Sequence, residues 1–539
     1  MQLPPHPPDA RAALDSLTVR RSLSLVLAAT LTLGPACAPD APDADRLRPR
    51  LATATPYDAR QVAAYAGDHA DAYAYIDANL PTHLENLRRW VRQRSVSAQD
   101  DGIQAMAETV RGDLRGLGFR EAELVPTSGH PGVWGYYDAG AAKTLVVYMM
   151  YDVQPVEATG WSVNAFDGSI GDHAKGRVLM ARGATNQKGP ERAFLNALEA
   201  IIRTSGTLPV NLMVVAEGEE ELGSVNFGEV IGKYEDRLRT AAGVFFPFNS
   251  QEASGDVSMF LGVKGILYFE IEAQGGPHGG PARAEIHGSY KAITDAPALR
   301  LVQAIASLTT PNGNTIRVPG YYNAIRPPSD EEMQLANGML PQWTATDSAA
   351  RAGLGVTRWV DGMGPAESLA EYLFNTTLNV DGIWSGYTGV GMKTITPHIA
   401  TAKMDSRLVP DQHPDSALAL IRSHLDAQGF TDIVLRKLSG YPPAQTSVTA
   451  PLVQAAIGVY NKYEFIPSVL PRLAGSAPYY QFTERLGLPM VMGGLGHGVG
   501  AHAPDEYMVI EPATGSRIAD LATIEKFYVD LLFALARAE

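Results

Sequence analysis

An acidic run, Glu217-Gly218-Glu219-Glu220-Glu221, follows directly on the apolar segment 208–216. That segment has the composition of a buried strand, so the run lies where a strand leaves the core. Like charges this close raise one another's pKa unless a cation or a proton transfer makes use of them. A solvated turn is the alternative, but the strand before the run and the Gly223-Ser224 pair after it favour chemistry. We therefore expect a catalytic cleft at the end of this strand.

The elements around the acidic run alternate between strand and helix. Strands are predicted at 145–151, 208–216 and 244–248, and helices at 71–93, 103–117, 190–202 and 224–239. This alternation indicates an α/β fold with a mostly parallel sheet flanked by helices. In such sheets ligands gather at the C-terminal ends of the strands, where both the acidic run and Asp152 fall.

With 539 residues the chain is too long for one hydrophobic core, and the pattern of its predicted strands and helices changes at about residue 266. The middle part reads as an α+β insert with strands at 266–274 and 394–408 and helices at 296–308 and 414–428, whereas 311–375 resists assignment. A helix, strand and helix then follow at 450–463, 489–492 and 514–537. We predict a catalytic domain in two parts, 56–265 and 441–539, with a lid formed by 266–440.

The N-terminus has the pattern of an export signal. Arg20-Arg21 precede the apolar stretch 23–33, and small residues lead to Cys37, the single cysteine of the chain. We predict a signal peptide over 1–37 that ends at a lipid-anchored Cys37, a flexible tether over 38–55, and a location in the cell envelope or periplasm. The net charge of -14 argues against a nucleic-acid partner.

Seven motifs, in order, carry a resemblance over 56–539. They are Tyr151-Asp152-Val153-Gln154-Pro155, the 181–190 segment, the acidic run, Gly262-Val263-Lys264-Gly265, Arg407-Leu408-Val409-Pro410, Gly475-Ser476-Ala477-Pro478 and the 502–507 segment. The chain resembles the dinuclear-zinc peptidase family of carnosinase, aminoacylase, carboxypeptidase G and succinyl-diaminopimelate desuccinylase, and the carnosinase-like branch most of all. The resemblance implies an inserted lid that forms a homodimer.

The same resemblance assigns roles to individual residues. It places Glu220 at the general base, Asp152 at a carboxylate that orients a metal ligand, and Glu221 and His502 at the ligands of one of two ions. Three positions depart from the family pattern: Met150 replaces a histidine, Asn186 replaces the bridging aspartate, and Asn249 aligns with a carboxylate.

These substitutions change the expected metal content. Thioether and amide groups are poor partners for zinc, which prefers thiolate, imidazole and carboxylate. The ligand positions retain one negative charge, that of Glu221, so a second zinc beside Met150 is poorly compensated. We expect one zinc ion held by Glu221, His502 and the side-chain oxygen of Asn186, with no bound metal as the alternative.

Two residues of the lid complete the implied site. His287 resembles the histidine that contacts the scissile carbonyl across the dimer interface, with His278 as a competing candidate and a surface turn as the plain alternative. Arg407 resembles the arginine that binds a substrate carboxylate, which suits its bidentate fork, although an exposed strand arginine is equally ordinary. His497, between two glycines, is not assigned a role.

The sequence therefore predicts a metallopeptidase-like hydrolase of small carboxylate-bearing substrates, dipeptides or N-acyl amino acids. A binding lipoprotein that keeps the fold but has lost hydrolysis is the main alternative, because three ligand positions are substituted. Acid–base chemistry without a metal, by Glu220 and Asp152, is a third reading. Retention of Glu220, Glu221, Asp152 and His502 favours the hydrolase.

Overall fold

The computed structural model describes residues 48–157, 159–276 and 278–538 of the chain. The predicted signal segment with Cys37, and most of the predicted tether, lie outside these residues. Residues 48–55 form neither helix nor strand, but the side-chain amide of Asn337 donates to the carbonyl of Ala52 at 3.0 Å. No helix in the described ranges is long and apolar enough to cross a membrane.

The strands are numbered in chain order. They are β1 (Glu121–Val125), β2 (Gly132–Tyr137), β3 (Thr144–Met150), β4 (Ser169–His173), β5 (Gly176–Met180), β6 (Asn211–Glu217), β7 (Gly243–Pro247), β8 (Ser258–Phe260), β9 (Gly262–Val263), β10 (Gly265–Gln274), β11 (Ile286–His287), β12 (Asn379–Ser385), β13 (Ile395–Thr396), β14 (Ile399–Leu408), β15 (Val434–Tyr441), β16 (Ala444–Gln445), β17 (Ser468–Leu470), β18 (Met490–Gly493), β19 (Gly498–Val499) and β20 (Tyr507–Pro512).

The α-helices are numbered in the same way. They are α1 (Ala70–Arg92), α2 (Ile103–Gly116), α3 (Lys188–Ser205), α4 (Phe227–Lys233), α5 (Glu235–Leu238), α6 (Pro297–Leu308), α7 (Asp330–Gly353), α8 (Pro365–Phe374), α9 (Pro414–Ala427), α10 (Pro451–Lys462) and α11 (Leu521–Arg537).

The central sheet has six strands in the order β1-β2-β6-β3-β7-β18. The pairs β6–β3, β3–β7 and β7–β18 are parallel, whereas β1 and β2 join antiparallel at one edge. Every residue of β6 is buried, and an apolar cluster covers each face of the sheet. Burial on both faces explains why β6 reads as a continuous apolar run. The predicted α/β fold with a mainly parallel sheet is confirmed.

A second sheet is antiparallel, in the order β12-β14-β10-β15. Along β10 the buried residues Leu267, Phe269 and Ile271 alternate with half-buried ones. The buried face packs against α6 and α9, which makes a separate core. This sheet is built from the predicted lid segment and extends one residue beyond it at each end, to Gly265 and Tyr441. Its other face is half-buried.

The segment that resisted assignment, 311–375, contains α7 and α8. A capping box, in which Ser329 and Glu332 bond each other's backbone, starts α7. Glu332 is buried and accepts from Arg326 at 2.6 Å and also from the buried Arg472. Burial alone would raise the pKa of Glu332, but Arg326 and Arg472 lower it to about 2. These ion pairs fix α7 against the strand that precedes the Gly475 motif.

Three predicted elements differ in detail from the structure. The helix expected from Ser224 is two short ones, α4 and α5, because Ser224 adopts a left-handed φ of 56° and bonds Glu217 instead of capping. The strand expected at 394–408 is divided into β13 and β14. The last helix begins at Leu521, where Asp520 caps it by accepting from Thr523, and 514–520 precedes it as a loop.

Candidate active site

The site begins where β3 and β6 end side by side. Met150 pairs with Glu217 in the parallel register, and both chains then leave the sheet at the same edge. Asp152 is completely buried there, and its two carboxylate oxygens accept the backbone N–H groups of Glu220 at 3.2 Å and Glu221 at 3.1 Å. Asp152 therefore holds the acidic loop to the end of β3.

Glu221 is the centre of a group of polar side chains. Its carboxylate accepts a hydrogen bond from the amide of Asn186 at 2.7 Å and from that of Gln154 at 2.8 Å. His502 Nε2 lies 3.1 Å from Glu221 Oε2. The Glu221 side chain is 4% exposed and that of His502 is 58% exposed, so the group opens to solvent on the His502 side. The structure thus brings together the three predicted ligands.

Charge repulsion and burial dominate the titration of this group. Burial and the charge of Glu221 raise the pKa of Asp152 to about 7. Burial, with Glu221 and Asp152 as charged neighbours, raises the pKa of Glu220 well above its ordinary value. The hydrogen bond with Glu221 raises the pKa of His502. A cation at Glu221 would be stabilised by all three carboxylates.

The other two glutamates of the run have structural partners. Glu219 accepts the backbone N–H of His130 at 2.9 Å and the side-chain amide of Asn226 at 2.8 Å. Glu217 accepts the hydroxyls of Tyr148 at 2.7 Å and Ser224 at 3.0 Å. Glu217 and Glu219 therefore have structural roles, which leaves Glu220 and Glu221 of this run to act in the cleft.

Sequence reasoning missed Glu506, which positions the loop that carries Asn186. This carboxylate is fully buried, and one oxygen accepts Arg182 Nη1 at 2.9 Å and the N–H of Gly183 at 3.0 Å. The other oxygen accepts the N–H groups of Thr185 and Asn186, both at 2.9 Å. An acid four residues after His502 was the available signal, because a buried carboxylate needs several donors.

Met150 and Asn249 lie at positions where the resemblance implies ligands of the other of the two ions, and they offer neither carboxylate nor imidazole. Met150 is 2% exposed, and its side chain belongs to an apolar cluster with Tyr148. Asn249 donates to the hydroxyl of Thr185 at 3.0 Å, and its side-chain oxygen is buried without a hydrogen-bond partner. A thioether and a neutral amide cannot offset a dication. These two positions therefore supply neither a carboxylate nor an imidazole to a second ion.

A single ion fits the Asn186–Glu221–His502 triangle. Asn186 Nδ2 lies 2.7 Å from Glu221 Oε1 and 3.3 Å from His502 Nε2, and His502 Nε2 lies 3.1 Å from Glu221 Oε2. A tetrahedral zinc with bonds of about 2.1 Å separates its ligands by roughly 3.4 Å. Asn186 presents its NH₂ group to both neighbours, so it must turn its amide over to serve as an oxygen ligand. No group of three or more His, Cys, Asp or Glu side chains suited to a metal occurs in the described ranges, so a metal at this position would need the Asn186 amide as a further ligand.

The predicted carboxylate clamp lies at the lid side of the cleft. Arg407 donates to the hydroxyl of Ser476 at 3.0 Å and to Asp405 at 3.1 Å. Ser476 belongs to one of the quoted motifs and in turn donates to the carbonyl of Gly265 at 3.0 Å. Arg407 is therefore not a free strand arginine, because it connects the lid to the catalytic part.

The other predicted histidines lie elsewhere. His287, on β11, is exposed and bonds Ser289 at 2.8 Å, so within one chain it does not join the Glu221 group. His278 Nε2 lies 3.4 Å from Asp432. His497 is buried and bonds the carbonyl of Gln251 at 2.8 Å, which makes it a packing residue.

The class of the protein follows from this arrangement. A mainly parallel sheet presents buried acids and a histidine at its C-terminal edge, and a second sheet carries an arginine over them; these are the features of a metallopeptidase-like hydrolase. The chain belongs to peptidase family M20/M25/M40, whose model matches residues 147–532. The members of this family are metal-dependent peptidases.

Known proteins agree with this membership. The chain is similar to the Cys-Gly metallodipeptidase DUG1 of Candida albicans, with 26% identity over 80% of this chain and 91% of that protein. It is 25% identical to the Beta-Ala-His dipeptidase of Rattus norvegicus over 73% of this chain and 81% of that one. It also resembles the crystal structure of the M20 metallo-carboxypeptidase Sso-CP2 from Sulfolobus solfataricus, with a TM-score of 0.75 and 31% identity over 84% of this chain and 99% of that one. The predicted family and its carnosinase-like branch are confirmed.

Proposed function

We propose that this protein hydrolyses amide bonds in small carboxylate-bearing substrates, dipeptides or N-acyl amino acids, at a site reduced to one metal ion. The observation that carries this proposal is the convergence of Asn186, Glu221 and His502 beside Glu220. The dipeptidase relatives support the substrate class. The three donors support one zinc ion, held by one carboxylate, one imidazole and one amide oxygen.

Each residue of the chain then has a defined task. A zinc ion at the triangle would supply Lewis-acid polarisation and make water more acidic. Glu220 accepts the proton of the attacking water as general base and returns it to the departing amine. Asp152 keeps Glu220 and Glu221 in place through their N–H groups. Arg407, already bonded to Ser476, holds the carboxylate of the substrate.

His287 is proposed to act from a second copy of the chain. It is exposed in the lid, its Nδ1 lies 2.8 Å from the hydroxyl of Ser289, and the side-chain partners of Glu221 are Asn186, Gln154 and His502. A homodimer through the lid would bring it to the tetrahedral oxyanion, where a preorganised donor stabilises developing charge. Export to the cell envelope or periplasm and anchoring through Cys37 complete the proposal.

A ligand-binding protein without hydrolysis is the second candidate. The burial of Met150 in an apolar cluster favours it, because that position cannot contribute to a metal site. Such a protein would bind the same carboxylate-bearing ligands through Arg407 and leave them intact.

The two candidates are separated by turnover of a dipeptide and N-acyl amino acid panel, with and without a chelator. Hydrolysis that is abolished by chelation and lowered at least about 100-fold in Glu220→Gln supports the hydrolase. Glu511→Gln is the matched control, since Glu511 is an exposed acid paired with Arg177 on the surface and its turnover should stay near wild type. Binding without any turnover establishes the second candidate instead.

A further inference from the structure

Three side chains form a row across the half-buried face of the lid sheet. Ile266 on β10 pairs with Arg407 on β14 and, on its other side, with Tyr441 on β15. Directly paired residues of antiparallel strands point to the same face, with adjacent strands about 4.8 Å apart. Arg407, Ile266 and Tyr441 are therefore neighbours on the face that β10 leaves half-buried.

This row faces the acidic loop and the 475–480 segment. Arg407 bonds Ser476, and Tyr441 stacks on Tyr480 with ring centroids 5.7 Å apart and an interplanar angle of 9°. Ser439, two residues before Tyr441 on the same strand, has its hydroxyl 3.4 Å from the position a Cβ would take on Gly223. The end of β15 thus lies directly against the loop that carries Glu220 and Glu221.

Tyr441 is separated from Arg407 in the row by Ile266 alone. Burial and the charge of Glu220 raise the pKa of its hydroxyl, whereas Arg407 lowers it. Tyr441 is half-buried. The ring is held by stacking on Tyr480 and by strand pairing with Ile266, and part of it remains accessible.

We propose that Tyr441 and Ile266 form the specificity pocket for the C-terminal side chain of the substrate and select aromatic or large aliphatic groups. This inference rests on the proposed function, in which Arg407 binds the substrate carboxylate. The side chain and the carboxylate branch from the same carbon, so the side chain must lie within a few ångströms of Arg407. Its neighbours in the row are Ile266 and then Tyr441, an apolar surface.

Preorganisation strengthens this selection. Because Tyr441 is already stacked on Tyr480, an incoming aromatic group orders no additional protein side chain. Offset aromatic pairs and apolar burial together favour an aromatic over a glycine C-terminus by about 10-fold or more in affinity. A polar C-terminal side chain would lose its hydration against Ile266 without finding a hydrogen-bond partner there.

Equilibrium binding tests the pocket independently of turnover. The affinities of N-acetyl-phenylalanine and N-acetyl-glycine would be measured by calorimetry for the wild type, Tyr441→Ala, Tyr441→Phe and Leu438→Ala, each carrying Glu220→Gln so that neither ligand is hydrolysed. Leu438 is an exposed residue of the same strand and is the matched control. We expect wild type, Tyr441→Phe and Leu438→Ala to bind the phenylalanine ligand about 10-fold more tightly than the glycine ligand, and Tyr441→Ala to lose this preference.

The ratio of the two affinities does not depend on the fraction of folded protein, so a partly unfolded variant is still informative. Equal affinity of the wild type for both ligands, or a preference that survives Tyr441→Ala, overturns the pocket. The same ligand preference in a protein that hydrolyses neither N-acetyl-phenylalanine nor any dipeptide supports the pocket and overturns the hydrolase proposal alone.

Discussion

The side-chain amide of Asn186 donates a hydrogen bond to the carboxylate of Glu221 at 2.7 Å. The family resemblance places a bridging aspartate at this position. Two carboxylates at that distance repel unless cations or a proton lie between them. Asparagine removes the repulsion, so the site closes by hydrogen bonding and needs one positive charge fewer.

Restoring the charged ligands should restore a second ion. The triple variant Met150→His, Asn186→Asp, Asn249→Asp adds two negative charges and one imidazole at the edge of the sheet. We expect its zinc content to rise to two per chain, against one for the wild type, as measured by elemental analysis after dialysis. Met150→His alone should stay at one, because one imidazole does not offset a second dication.

A triple variant that folds and binds no more zinc than the wild type would contradict the assignment of these three positions. Circular dichroism and the midpoint of urea unfolding establish folding independently of the metal.

Glu506 should affect metal affinity by holding the loop that carries Asn186. Glu506→Gln leaves one oxygen for four donors and places an NH₂ group against the N–H groups of the 183–186 loop. Because the loop carries Asn186, we expect zinc affinity to fall by about 10- to 100-fold. Competition with a chromogenic chelator measures this change.

The matched control is Glu511→Gln, which removes an exposed acid on β20 paired with Arg177 at 3.2 Å. Its zinc affinity should match that of the wild type. Equal losses in both variants would mean that Glu506 acts only through general stability.

Arg407 should contribute to substrate binding through the substrate carboxylate. Arg407→Lys keeps the charge but loses the planar fork that bonds Ser476 and Asp405. We expect KM for dipeptides to rise about 10-fold, whereas dipeptide amides, which lack the carboxylate, are cleaved equally by both proteins. If Arg407→Lys lowers the cleavage of dipeptides and of dipeptide amides equally, Arg407 does not bind the substrate carboxylate.

The buried Glu332 should make stability depend on acid pH. Its folded-state pKa of about 2 lies below the ordinary 4.5, so its contribution is present above pH 4.5 and is lost as the pH falls from 4.5 toward 2. The shift corresponds to about 3 kcal/mol. Urea unfolding of the wild type between pH 6 and 3 should show this decline, and Glu332→Gln should be less stable at pH 6 and flatter with pH. Equal pH slopes in the two proteins would refute the role of the ion pairs with Arg326 and Arg472.

Much of the central fold could be predicted because strands buried on both faces read as apolar runs. The runs at 145–151 and 208–216 correspond to β3 and β6, and the family motifs located Asp152, Glu220, Glu221, Asn186 and His502 at one edge. Charged residues that directly follow a buried apolar strand are costly to bury, so their presence in a sequence indicates a functional site.

What sequence reasoning missed depends on contacts between distant segments. Helices α7 and α8 are stabilised by the ion pair of Glu332 with Arg472, 140 residues away, and not by a strong periodic pattern. Glu506 was read as part of a motif, and its bonds to the 182–186 loop appear only when the two segments meet. Tyr441 became a candidate through its pairing with Ile266, which local sequence does not specify.

The metal stoichiometry of the active protein decides whether hydrolysis depends on a single zinc ion per chain. Purified protein loaded with zinc would be dialysed, analysed for metal, and assayed on a dipeptide panel before and after chelation. We expect one zinc per chain, hydrolysis that disappears with the chelator, and recovery on adding back one equivalent of zinc. Two zinc ions per wild-type chain, or hydrolysis that persists in metal-free protein, would contradict this expectation.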